Sequence, residues 1–133
     1  MKKLFLILIA AALLPLAAPG ALAQEPQEPN LDEIINKHIE NLTRMFDLDE
    51  VQVFFLDSIL QFNYNALQEE VKQTRKTGAS NTETYQIISD KWMDRTDQAL
   101  EKLFTDEQWT KYLKSTYGKE KKRRDKRIAE RGL

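Results

Sequence analysis

The sequence predicts an all-α chain of about four helices, two of them long and forming a central antiparallel hairpin. Three observations predict this. Apolar residues recur at helical spacing through most of the chain, with charge on the opposite side. Two stretches, LDEVQV at 48–53 and FTDEQW at 104–109, carry one helix-start pattern 56 positions apart. The alternation and closely spaced turns of strands are absent throughout.

The elements follow in order. Residues 1–23 read as a secretory leader. Lys2 and Lys3 give a basic start, Leu4 to Leu16 an apolar run, and Pro19-Gly20 a break. Ala21 and Ala23 supply the small residues of a cleavage site, expected after Ala23. The apolar run is too short to cross a bilayer comfortably. The short Lys-Lys start and Ala-rich end point to a bacterial leader and to the periplasm. No Cys occurs anywhere, which excludes a lipoprotein anchor, disulfides and thiolate chemistry.

Residues 24–30 are a polar, Pro-containing lead-in, expected to be flexible. Asn30 can cap a first helix, whose apolar positions are Leu31, Ile34, Ile35, Ile39, Leu42 and Met45; Phe46-Asp47 ends it. A second helix is expected from Glu50 to about Lys76, some 40 Å long at about 1.5 Å per residue. Thr77-Gly78-Ala79 breaks it. Ser80 is the expected cap of a third helix, with Glu83 completing a capping box; Tyr85, Ile88, Trp92, Thr96, Ala99, Leu100 and Leu103 mark its face. A fourth helix opens at Asp106, carries Trp109, Tyr112 and Leu113, and is expected to end at Gly118. One domain thus spans 31–118. Residues 119–133 form a basic tail with eight Lys/Arg against three Asp/Glu, so that a tail of net +5 follows a body (24–118) of net −8.

The repeated pattern has a physical content. Asp49 and Thr105 are N-caps whose side-chain oxygens accept from backbone N–H groups that a helix leaves unpaired. Gln52 and Gln108, three residues on, can reach back to the cap residue's own N–H. Leu48 with Val53, and Phe104 with Trp109, hold the two positions of a hydrophobic staple. Each stretch therefore starts a helix and fixes its entry angle. Asp49-Glu50 and Asp106-Glu107 lie in first turns, where the helix dipole favours them.

Two such motifs flanking a long helical hairpin, in a small exported chain without Cys, resemble the Spy/CpxP family of periplasmic proteins, marked by two Leu-Thr-x-x-Gln motifs. The copies here are Leu48-Asp49-Glu50-Val51-Gln52 and Phe104-Thr105-Asp106-Glu107-Gln108, with Asp for Thr in the first and Phe for Leu in the second. The resemblance covers roughly residues 30–118. It implies a thin, elongated helical domain that forms a cradle-shaped homodimer. It also implies ATP-independent chaperone activity on unfolded or stress-damaged envelope proteins. The alternative it leaves is a dedicated regulatory partner of one envelope protein, such as a stress-sensor domain.

The residues themselves are compatible with client binding. Phe54, Phe55, Phe62 and Tyr64 cannot all face the same way as Val53, Leu56 and Leu60, so the second helix is apolar on more than one side. Surplus apolar surface on a small helical layer implies a dimer interface or a client surface. Trp92, Trp109 and Tyr112 are expected in the core. There is no nucleotide-binding Gly-rich run. His38 is the only histidine, so neither a zinc site nor acid–base catalysis is expected, and no cofactor is implied. Asp94 and Asp97 are expected on a solvated helix face. The tail cations Lys121, Lys122, Arg123 and Arg124 are expected to keep the chain soluble. If they bind anything, anionic membrane lipid is the better partner, since an exported chain rarely meets nucleic acid.

Overall fold

A computed structural model describes residues 30–78 and 81–132. The expected leader, its cleavage site and all of the lead-in but Asn30 lie outside the described residues. Among these there is no strand, and five helices follow one another: α1 (Leu31–Phe46), α2 (Glu50–Lys76), α3 (Thr82–Leu103), α4 (Asp106–Lys114) and α5 (Thr116–Glu130). The chain is all-α, with one helix more than expected. No helix among the described residues is long and apolar enough to cross a membrane.

The helix ends are set by local chemistry. Asn30 caps α1, its side chain accepting from the Asp32 N–H at 3.0 Å. Asp47 closes α1 in the left-handed region (φ 51°), a conformation that Asp tolerates better than most residues. Asp49 and Thr105 cap α2 and α4, and both capping boxes are complete. The expected cap Ser80 lies outside the described residues; the cap is Asn81, whose side chain accepts from the Thr84 N–H at 2.7 Å. α3 therefore begins at Thr82, one residue past that expectation.

Gly118 does not end the fourth helix. α4 stops at Lys114, Ser115 leaves the helical region, and α5 begins at Thr116 with Gly118 buried inside it. A Cβ at position 118 would collide with the backbone carbonyl of Leu113. The glycine is what lets α5 pass this close to the end of α4, a requirement for missing volume that local sequence reads as a stop.

The most extensive packing is between α2 and α3, with α1 against α2, α4 and α5 against each other, and α5 against α3. The bonds between α2 and α3 run in opposite order along the two helices. Gln52 reaches Leu103, Asn63 reaches Thr96, and Glu70 meets Lys91 and Trp92. The core is made by Ile35, Leu42, Phe46, Leu48, Leu56, Leu60, Leu100, Phe104 and Tyr112, with Leu31, Ile39, Val53, Tyr64, Leu103, Trp109 and Tyr117 packed around them. Phe46 lies 5.8 Å from Phe104 and 5.6 Å from Tyr112, ring centre to ring centre.

Candidate functional site: a paired junction and an exposed aromatic face

The two motifs meet. Gln52 donates to the Gln108 side-chain oxygen at 2.6 Å, and Gln108 donates back to that of Gln52 at 3.2 Å. Each oxygen also accepts from its own cap, Asp49 N–H to Gln52 at 3.1 Å and Thr105 N–H to Gln108 at 2.9 Å. Gln52 donates to the Leu103 carbonyl at 3.2 Å, the end of α3. Gln108 donates to Phe46 O and Asp47 O at 3.1 and 3.4 Å, the end of α1. Each amide thereby caps the helix it opens and ties off the helix that precedes the other motif. Both amides use donors and acceptors alike, as a polar pair largely withdrawn from water requires, Gln52 being buried and Gln108 half-buried. The pattern recurs because one motif completes the other. Leu48 and Phe104 are buried beside the junction, and Val53 and Trp109 pack against the same cluster.

The exposed aromatic residues lie on α2. Phe54 and Phe62 are each 68% exposed, Phe55 50%, and Val51 beside them 65%. Residues 51, 54, 55 and 62 share one side of the helix, opposite the core positions Gln52, Leu56, Leu60 and Asn63. Phe54 and Phe55 meet edge to face at 5.5 Å, and Phe62 meets Trp92 of α3 at 6.4 Å. Arg95 and Lys91 sit over the Trp92 ring at 4.6 and 5.1 Å. The combined face is aromatic with cations at its edge. Tyr64 is not part of it. That residue is half-buried on another side of α2, its hydroxyl 3.1 Å from His38 Nδ1. Burial raises the Tyr64 pKa and lowers that of His38. The His38 ring is also stacked on Tyr117 at 5.4 Å.

Sequence reasoning missed a second polar site. Asp90 and Asp97 on α3 are buried. Asp90 accepts two bonds from Arg127, at 3.0 and 2.8 Å, and one from Arg131 at 2.7 Å. Asp97 accepts from the Tyr112 hydroxyl at 2.7 Å and from Arg124. Burial pushes the Asp90 carboxyl up, but the bonds from Arg127 and Arg131 outweigh it and hold it below its ordinary value. Burial, and then the Asp97 carboxylate, push the Tyr112 phenol well up, so it remains a donor. The expectation of a solvated face for Asp97 fails because its partners come from α4, in Tyr112, and from the tail, in Arg124. From Lys119 to Glu130 that tail is helical, as part of α5, and its expected set of four cations divides. Arg124 and Lys121 are largely covered, Lys121 bonding Asp125 at 2.6 Å, whereas Lys122 and Arg123 face solvent.

Among the described residues no group of three or more His, Cys, Asp or Glu is placed to hold a metal ion. Comparison with family models, with curated proteins and with solved structures finds no match for this chain.

Proposed function

We propose that this protein is a Spy/CpxP-like, ATP-independent chaperone of the bacterial periplasm that holds unfolded or stress-damaged envelope proteins. The observation that carries the reading is the exposed face of Phe54, Phe55 and Phe62 on α2, with Phe62 against Trp92. Large aromatic rings left in water on one helix side are unusual unless something covers them. The Arg95 cation over Trp92 favours segments that mix apolar and acidic groups, whereas Lys91 is already paired with Glu70. The opposite running order of the α2–α3 bonds supports an antiparallel hairpin as the rigid layer bearing this face. In a homodimer, two such layers would form a larger concave surface.

A titration of the processed chain, Gln24–Leu133, against two unrelated aggregating proteins tests this by light scattering. Suppression of both at near-stoichiometric amounts supports general client binding. Suppression of neither, with the helical spectrum intact, replaces it with a dedicated interaction with one envelope partner.

A further inference from the structure

α5 carries cations on two opposed faces, and only one face is used within the fold. Arg124, Arg127 and Arg131 turn onto Asp97 and Asp90 of α3, their side chains 11%, 31% and 19% exposed. Lys119, Lys122, Arg123 and Lys126 recur at i, i+3, i+4 and i+7, so they share the other face, and all four are exposed. Their stems line an open recess of about 510 Å³. We propose that this outer face of α5 is the surface through which the protein rests on an anionic lipid membrane, engaging several headgroup phosphates at once without inserting.

Charge complementarity is the basis. The row covers about 10 Å of a straight helix at about 1.5 Å per residue. A plane of repeated phosphates can meet all four cations together, whereas a lone anion meets one or two. The inward ion pairs hold α5 on α3, so the row is ordered before it binds and loses little freedom on contact. The outer face presents no large exposed apolar residue, which excludes the insertion of an amphipathic anchor and leaves headgroup contact. Arg123 pairs with Glu120 at 2.5 Å and Lys126 with Glu130 at 3.9 Å, but these side chains are all more than half exposed, and such pairs exchange readily for other anions. The acidic body (net −8) is repelled by the same membrane, so the contact is oriented, with α5 toward the lipid. The site does not depend on client binding.

Co-sedimentation of Gln24–Leu133 with vesicles tests it, comparing phosphatidylcholine alone with phosphatidylcholine plus phosphatidylglycerol. The expected result is binding to the phosphatidylglycerol vesicles only, weakened by added salt. The variant Lys119→Gln/Lys122→Gln/Arg123→Gln/Lys126→Gln should lose about fivefold in affinity per charge removed while its melting temperature holds. Glu130→Gln should bind more tightly. Three results would each overturn the proposal: no binding of the unmodified protein to phosphatidylglycerol vesicles, unchanged binding by the fourfold variant, or binding to duplex DNA without binding to vesicles.

Discussion

Replacing Gln52 and Gln108 by Ala, singly and together, separates a paired junction from two independent helix caps. In the structure Gln52→Ala removes four hydrogen bonds: two donated by the amide to Leu103 O and Gln108, and two accepted from the Asp49 N–H and Gln108. At about 0.5–1.5 kcal/mol per neutral bond, with some loss recovered by water in a half-open site, the cost is about 2–4 kcal/mol. Gln108→Ala should cost a similar amount, because it removes the same two inter-glutamine bonds together with its own cap and carbonyl contacts. The double variant loses those two shared bonds only once. It should therefore fall short of additivity by about 1–3 kcal/mol. Urea unfolding followed by the helical circular-dichroism signal reads all three values. Additivity within about 0.5 kcal/mol, with single costs near the 0.5–2 kcal/mol of ordinary caps, would refute the junction.

Other perturbations probe the rest of the fold. Gly118→Ala should destabilise by about 3 kcal/mol, since its Cβ meets the rigid Leu113 backbone; a merely helical glycine would instead gain about 1 kcal/mol, and a thermal melt gives the sign. Asp90→Ala should cost about 2 kcal/mol and loosen α5, visible as faster amide exchange in residues 119–131. The cost is less than for a fully buried pair because Arg127 and Arg131 can turn to water. His38, held below its ordinary pKa by burial, should make stability decline as pH falls. The unfolded chain takes up the proton near pH 6.5 before the folded one does, so melts between pH 7.5 and 5.5 should show a loss that His38→Gln removes. Asp90 adds a further loss in more acid solution: the unfolded carboxyl takes up its proton around its ordinary value of 3.8 before the folded one does, so the loss begins there and continues until the lowered folded pKa is passed, where protonation breaks the arginine bonds.

What local sequence could reveal follows from which forces are local. The bounds of α2, Glu50–Lys76, and the caps Asn30, Asp49 and Thr105 were legible because capping and helical periodicity act within a few residues. The repeat of Gln52 and Gln108 was visible as two caps, but their mutual bonds join residues 56 apart and leave no periodic trace. α5 was hidden for a different reason. Its docking relies on arginines meeting Asp90 and Asp97, and carboxylates at helical spacing look the same in sequence whether solvated or buried. The opposite charges of body and tail were the available signal, and the structure satisfies part of that asymmetry internally. Of the aromatic residues on α2, periodicity showed that Phe54, Phe55, Phe62 and Tyr64 could not all face the core, but it could not tell which of them are exposed or that Tyr64 turns toward His38.

The most direct test of the proposed holding activity compares the processed chain with Phe54→Ser/Phe55→Ser/Phe62→Ser against two unrelated aggregating clients by light scattering. These side chains are at least half exposed, so the variant should keep its helical signal and melt within about 1 kcal/mol of the parent. The account predicts that the parent suppresses both aggregations and the folded variant suppresses neither. Equal suppression by parent and variant, or none by a well-folded parent, would contradict it.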